Sequence, residues 1–218
     1  MHHNYHSQLE RLRKNFLDLG LLVEDRVRKA CSAFKGDDMT ALEMVIKSDY
    51  EIDEMEVEIE EECLKILALY QPVARDLRFI IALIKIDSEI ERIGDYAVKI
   101  AQKVKFVFEH GCQKFPMDYS PMSDKVLVML RMSLDALVHR DIEMAHGIFI
   151  LDDEIDALRN SAYDTIKERL RKQPEHAGCF LNFYLIASHL ERIADRATDI
   201  AEEVIYMVGG DIVRGDHK

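Results

Sequence analysis

The chain has 218 residues, of which 48% are hydrophobic and 32% are charged, and its formal net charge is −12. Binding to nucleic acid and electrostatic docking on anionic lipid both need a basic surface, so this charge argues against both. No apolar run reaches the roughly 18 residues of a bilayer-spanning helix, and the N-terminus lacks the apolar core of a secretory signal. Nine glycines and four prolines are few for this length, which favours long helices with charged outer sides.

The first segment, residues 5–34, predicts a long helix. Its apolar side chains recur at alternating spacings of three and four, which places them in one stripe. Gly36 is expected to end this helix. Asp37 or Asp38 is expected to cap the next one by accepting a backbone N–H.

Two further helices are predicted before the middle of the chain. The second should run to about Tyr70, and Pro72 should stand in the first turn of the third, where its missing N–H would be unpaired anyway. The third helix keeps an apolar heptad from Leu83 to Val107, uninterrupted by charge or proline. Glycine, proline and serine over residues 111–123 indicate a connection to a second half.

The second half of the chain repeats the first. Residues 91–95 (Glu-Arg-Ile-Gly-Asp) return a hundred positions later as residues 191–195 (Glu-Arg-Ile-Ala-Asp), and residues 49–53 correspond to residues 152–156. A repeat of this length indicates a duplicated domain rather than a solenoid unit. The last three helices should therefore copy the first three, with Asp141 capping the fifth.

No segment alternates with a period of two residues, so no sheet is expected. The predicted fold is all-α, with two tandem antiparallel three-helix bundles related by the internal repeat. The predicted domains are residues 1–112 and 124–218, with a linker at residues 113–123.

Acidic pairs four residues apart mark two consecutive helices in each half. They are Asp49 with Asp53, Glu91 with Asp95, Asp152 with Asp156, and Glu191 with Asp195, which Asp199 extends. Like charges at this spacing destabilise a helix by roughly 0.2–0.5 kcal/mol per pair, so a compensating charge is expected. Basic neighbours on a solvated face would supply it, and so would a hard or borderline cation such as Mg²⁺, Ca²⁺, Mn²⁺ or iron. The spacing alone leaves both interpretations open.

The acidic column of the third helix bears on the question of catalysis. Asp87, Glu91 and Asp95 are predicted to lie on the side away from the apolar seam, facing outward. That position suits a surface ion better than the buried chemistry of di-iron oxidases. Those enzymes need two Glu-x-x-His motifs, and this chain has one, at Glu143 and His146. With no phosphate-binding glycine loop, no H-E-x-x-H motif and no nucleophile–base pairing, no enzymatic activity is predicted.

The cysteines and histidines are assigned structural or surface roles. Cys31, Cys63, Cys112 and Cys179 are scattered without a C-x-x-C motif and are expected to be buried, reduced thiols of a cytoplasmic protein. His2, His3 and His6 are expected at a frayed terminus, and His139 and His189 are expected to pack or to face solvent.

The two acidic sites are predicted to differ in affinity. Lys99 stands one turn beyond Asp95, where it can neutralise the first pair, whereas Asp199 holds the matching place beyond Asp195. Arg196 opposes this difference. On balance, the second-half site is expected to bind its cation more tightly.

Taken together, these motifs resemble the PhoU family, the accessory and regulatory proteins of phosphate-specific transport systems. The matching stretches span nearly the whole chain and are Gln71-Pro72-Val73-Ala74-Arg75-Asp76-Leu77-Arg78, Glu91-Arg92-Ile93-Gly94-Asp95-Tyr96-Ala97, Arg140-Asp141, Asp152 through Asp156, and Glu191-Arg192-Ile193-Ala194-Asp195. The resemblance implies a cytoplasmic, non-enzymatic protein that represses the phosphate-starvation response when phosphate is plentiful. It also implies partners: the ATPase subunit of the phosphate ABC transporter, a sensor histidine kinase and a second copy in a homodimer. Contact with the membrane would be made only through those partners.

Some members of this family hold multinuclear iron clusters through E/D-x-x-x-D motifs. Carried over to this chain, the resemblance implies that the four acidic pairs bind iron or another divalent metal such as Mn, Mg, Zn or Ca. Two features depart from the family pattern. The stretch with Arg75 and Arg78 has no counterpart near residues 175–179, and Asp199 stands where the family pattern has asparagine. The alternative is a helical accessory protein of another phosphate or cation transporter, without a metal requirement.

Overall fold

A computed structural model describes residues 2–35, 39–112 and 115–210, and over these residues the chain forms helices and no strand. The α-helices are α1 (His2–Ser32), α2 (Met39–Lys47), α3 (Asp49–Tyr70), α4 (Ala74–Glu109), α5 (Ser120–His139), α6 (Ile142–Lys172) and α7 (Ala177–Gly209), with 3₁₀ turns at Ala33–Lys35 and Pro174–His176. The predicted all-α fold is confirmed. None of the described helices combines the length and the apolar character needed to cross a membrane.

The heptad rows of α4 and α7 form the centre of the structure. Ile86, Ile93 and Ile100 of α4 are fully buried, and so are their repeat partners in α7. Helix α4 packs with α1, α2 and α3, helix α7 packs with α5 and α6, and α4 and α7 pack against each other. Burying one such side chain contributes roughly 1.5–3 kcal/mol, so these rows hold both bundles on one continuous core.

The predicted second helix is divided into α2 and α3. The chain turns at Ser48, whose hydroxyl donates to the Met44 carbonyl oxygen at 2.6 Å. A serine that bonds back to the preceding turn competes with the helical hydrogen bonds and bends the helix. The repeat partner of Ser48 is Leu151, which has no such donor, and α6 runs through that position unbroken.

One predicted helix cap is confirmed. Asp141 precedes α6, and its Oδ1 accepts a hydrogen bond from the Met144 backbone N–H at 3.0 Å. The other proposed helix-end residues, Gly36, Asp37 and Asp38, lie outside the described residues.

Two prolines differ from their predicted positions, since Pro72 was expected to start a helix and Pro121 was expected in a linker. Pro72 lies before α4 instead of in its first turn, because Gln71 turns the chain with a φ of 46° and α4 begins at Ala74. Pro121 instead occupies the first turn of α5, which begins at Ser120 inside the segment predicted to be a linker. The fixed φ of proline is compatible both with the first turn of a helix and with the segment before it. The residue type alone therefore does not distinguish a linker from a helix start.

Two cysteines correct the expectation of four reduced thiols. Cys112 and Cys179 form a disulfide, with their Cα atoms 5.8 Å apart and a sequence separation of 67. Cys112 follows the end of α4, Cys179 lies in the first turn of α7, and the packing of these two helices brings the ends together. Such a tertiary contact leaves no spacing signal in the sequence. Cys31 and Cys63 are buried, as predicted.

Candidate functional site: two clusters of carboxylates

The first cluster lies where α3 packs against α4. Asp53 and Glu56 of α3 come near Glu91 of α4, which stands one turn before Asp95. Burial, together with the negative charges of Asp95, Glu56 and Asp53, raises the pKa of Glu91 to about 6. The structure thus brings Asp53 to the acidic pair on α4, while the side chain of Asp49 lies outside the described residues.

Asp87, which was predicted to face outward, is buried. The residue is only 1% exposed, and its Oδ1 has no hydrogen-bond partner within the described part of the chain. Burial, together with the charges of Glu56 and Glu60, raises the pKa of this carboxyl to about 8. The outward prediction was wrong because α4 has neighbours on several sides, so the side turned away from one apolar seam faces α3.

The predicted partner of the first acidic pair is in place. Lys99 Nζ lies 2.9 Å from Asp95 Oδ2, and both side chains are partly exposed. The same ammonium group lies 4.8 Å from the centre of the Tyr96 ring. A partly exposed ion pair of this kind contributes about 0.2–1 kcal/mol, so Lys99 offsets only part of the negative charge.

The second cluster lies where α6 packs against α7. Burial raises the pKa of Asp152 to about 6, and the nearby charges of Asp156 and Glu191 contribute. Burial also raises the pKa of Asp195 to about 6, where the charges of Glu191 and Asp152 raise it and Arg196 lowers it. The acidic pairs of α6 and α7 therefore meet across the helix interface, with Asp156 on the exposed side.

Two arginines enter this second cluster. Arg159 Nη2 lies 3.3 Å from Glu191 Oε1, and sequence reasoning missed this contact. Arg196 Nη1 lies 2.7 Å from Asp199 and 3.0 Å from Glu89 of α4, so it also ties the two halves together. The only sequence signal for Arg159 was its place one turn beyond Asp156. Burial raises the pKa of Asp199, and the charge of Arg196 counteracts that rise.

Both clusters offer the ligand type that a hard cation prefers. Their donors are carboxylate oxygens on neighbouring helices, and a cation would relieve the repulsion that helps to raise the pKa values of Glu91, Asp152 and Asp195. As placed, no three Asp, Glu, His or Cys side chains in the described residues stand close enough to enclose a metal ion. The donor chemistry therefore fits a metal, and binding would require these side chains to close on it.

The remaining candidate residues lie apart from the clusters. His189 is half-buried, stacks on Tyr96 with ring centres 5.8 Å apart, and has its pKa lowered to about 4 by burial and by the charges of Lys99 and Arg192. Among the residues with described side chains, His6, His139, His146, Glu143 and Arg75 are exposed, and Arg78 is half-buried. The predicted packing or surface role of His139 and His189 agrees with this placement.

Comparisons with known proteins agree on one family. The PhoU domain matches residues 16–104 and 119–204, one match in each half. A phosphate-specific transport system accessory protein PhoU homolog from Clostridium acetobutylicum is 32% identical over 207 residues, which is 94% of each chain. The crystal structure of PhoU from Pseudomonas aeruginosa has a TM-score of 0.90 at 34% identity, covering 95% of this chain and all of that one. The phosphate transport system regulatory protein PhoU from Streptococcus pneumoniae has a TM-score of 0.85 at 31% identity, covering 96% and 99%.

The fold defines a class of duplicated helical proteins, and in this chain each half carries a cluster of carboxylates between its last two long helices. Both halves and nearly the full length of the chain match one such class. The chain belongs to the PhoU family.

Proposed function

We propose that this protein is a cytoplasmic accessory and regulator of a phosphate-specific transport system. The observation that carries the proposal is the likeness over nearly the full length to proteins named for that role, at 32% identity over 94% of both chains for one of them. In this role the protein represses the phosphate-starvation response when phosphate is plentiful. It acts by binding, without a catalytic step.

The proposed adaptor contacts two partners, the ATPase subunit of the phosphate ABC transporter and a sensor histidine kinase, and it works as a homodimer. Its net charge of −12 favours basic partner surfaces, because complementary charge speeds association and suppresses wrong partners.

The two acidic clusters are proposed to hold divalent metal, with iron as the first choice. Asp49, Asp53, Glu91 and Asp95 would hold it in the first half. Asp152, Asp156, Glu191, Asp195 and Asp199 would hold it in the second. A bound cation would supply positive charge between α3 and α4 and between α6 and α7. Support comes from the repeated carboxylate oxygens and from their raised pKa values.

One observation favours a second candidate, a metal-free accessory protein of another phosphate or cation transporter. Lys99, Arg159 and Arg196 already pair with acidic residues of the clusters. These contacts neutralise part of the negative charge without a metal.

Co-purification tests the adaptor proposal. Tagged protein is isolated from cells that also express the phosphate transporter ATPase subunit and the sensor kinase, with the tag alone as control. The proposal expects both partners to be retained by the tagged protein. Retention of neither would contradict it, and retention of a different transporter's ATPase would favour the second candidate.

A further inference from the structure

An apolar groove lies between α6 and α7 in the second half, away from the carboxylates. It has a volume of about 440 Å³ and is lined by Tyr163, Ile166 and Leu170 of α6 and by Leu181 and Tyr184 of α7. Tyr163 and Leu181 are 49% and 53% exposed, whereas Ile166 at 3% exposure belongs to the core. The second-half bundle thus leaves apolar side chains of two helices facing solvent along one groove.

The groove has the shape that a helix requires. Tyr163, Ile166 and Leu170 follow one another at spacings of three and four residues, so they form a row along α6, and the Tyr163 and Tyr184 rings meet edge to face across the groove with centres 5.8 Å apart. Rows of this kind on two packed helices accept the apolar side chains of a third helix between them.

The rim of the groove is basic. Lys167 and Arg171 line it, and among the described residues neither forms a salt bridge; Lys167 Nζ instead lies 5.6 Å from the centre of the Tyr163 ring. Glu168, the acidic residue beside them, is 2.6 Å from Lys172 and so is already paired. Two cations without salt bridges beside an apolar groove favour an acidic ligand.

The first half offers a comparison from within the same chain. By the repeat, Lys167 corresponds to Leu64, Arg171 to Ala68 and Tyr163 to Glu60. The basic rim therefore belongs to the second half only and is not a general property of the duplicated fold.

We propose that this groove binds an amphipathic helix of a partner protein in which acidic residues flank the apolar side chains. The inference rests on the proposed adaptor function and names one surface of the adaptor, whose local charge is opposite to the net charge of the chain. An anionic membrane is a poorer match, because the groove is concave and two cations are few for a surface in contact with lipid. Occupation of the groove by a second copy of this chain is a different outcome, and the experiment below distinguishes it from binding of a partner helix.

Two designed peptides test the proposal with the full chain. Each is a fluorescein-labelled helix of about four turns with leucine at positions i, i+3, i+4 and i+7. One peptide carries flanking glutamates, and the other carries lysines at the same places. Because the protein is acidic as a whole, non-specific attraction would favour the lysine peptide. The proposal expects the opposite in fluorescence anisotropy titrations, with binding of the glutamate peptide tighter by about tenfold or more.

Variants locate the binding. Leu181→Lys should abolish binding of the glutamate peptide, and Lys167→Glu combined with Arg171→Glu should reverse the peptide preference. Leu64→Lys changes an equally exposed leucine, at 53%, in the first half and should have no effect. Circular dichroism checks that each variant folds.

Absence of binding by the glutamate peptide, equal binding of both peptides, or an equal effect of Leu64→Lys would overturn the proposal. A dimer that Leu181→Lys dissociates in sedimentation would instead assign the groove to a second copy. None of these outcomes depends on phosphate regulation, so failure here and failure of the proposed function are separate results.

Discussion

Arg159 of α6 lies 3.3 Å from Glu191 of α7 and binds one of the acids that the repeat pattern singles out. By the same repeat, the first half has Glu56 at the position of Arg159. One cluster thus has an arginine where the other has a glutamate, a difference of two charge units at matching places. Burial together with the charges of Glu60 and Asp53 raises the pKa of Glu56, which shows that the first cluster is rich in negative charge.

This relationship favours the opposite of the affinity order that Lys99 and Asp199 suggest from sequence. Asp199 is paired with Arg196, so it adds less to the second site than its charge implies. We therefore predict that the first cluster binds a divalent cation more tightly. Glu56→Arg should weaken the first site, and Arg159→Glu should strengthen the second.

Calorimetric titration of each variant with Mn²⁺ measures this prediction. A change of two charge units about 4 Å from the ion is worth up to a few kcal/mol before screening, so a shift of roughly tenfold in affinity is expected. Arg171→Glu makes the same charge change as Arg159→Glu, but in the groove between α6 and α7, and serves as the control. If Arg171→Glu strengthens cation binding as much as Arg159→Glu does, the net charge of the protein sets the affinity and the local charge does not.

We predict that the metal content of the protein depends on the four acidic pairs. Replacing Asp53, Asp95, Asp156 and Asp195 by asparagine removes one carboxylate from each pair and keeps the side-chain size. Elemental analysis after dialysis against Fe²⁺, Mn²⁺, Mg²⁺ or Zn²⁺ should show bound metal in the native protein and its loss in the quadruple variant. Unchanged occupancy would mean that these residues are not the ligands.

Asp87 should make the stability of the metal-free protein depend on pH. An aspartate in the unfolded chain titrates near 3.9, and burial raises the pKa of Asp87 in the folded protein to about 8. Between these values the folded state keeps a proton that the unfolded state has lost, so this residue's contribution to the free energy of unfolding falls as pH rises from about 4 to about 8. Asp87→Asn should flatten that dependence and be the more stable protein above about pH 8.

Urea unfolding across this pH range in the presence of a chelator provides the measurement. Glu54→Gln removes an acid from the exposed side of α3 and should leave the pH dependence unchanged. If the native protein and Asp87→Asn lose stability in parallel as pH rises, Asp87 does not carry the effect.

The core could be predicted from the sequence because each apolar heptad row lies wholly within one helix, as Ile86 and Ile93 illustrate. Asp141 could be predicted because a helix cap is also local. The burial of Asp87 and the contact of Arg159 with Glu191 could not be predicted. Both depend on which helices pack together and on how each helix is rotated about its axis. The same holds for the groove beside Leu181, which exists only because no other helix of the described chain fills it.

The disulfide between Cys112 and Cys179 predicts the number of titratable thiols. Protein denatured without reductant should show two thiols, and reduced protein should show four. A bond that closes a loop of 67 residues raises the free energy of the unfolded chain by roughly 4 kcal/mol because it removes conformational entropy. Reduction should therefore lower the melting temperature. A double Cys112→Ser, Cys179→Ser variant should melt like the reduced protein and be insensitive to reductant. Four thiols without reductant would show that the bond does not form in solution.

The most direct test of the account is a reporter of phosphate-starvation genes in a strain that lacks this gene, grown in high phosphate. We predict that the reporter is active in the deletion strain and silent again when the native gene is returned. The quadruple variant Asp53→Asn, Asp95→Asn, Asp156→Asn, Asp195→Asn then shows whether repression needs the acidic clusters, with Glu54→Gln as the matched control. A reporter that stays silent in the deletion strain would contradict the proposed role in phosphate regulation.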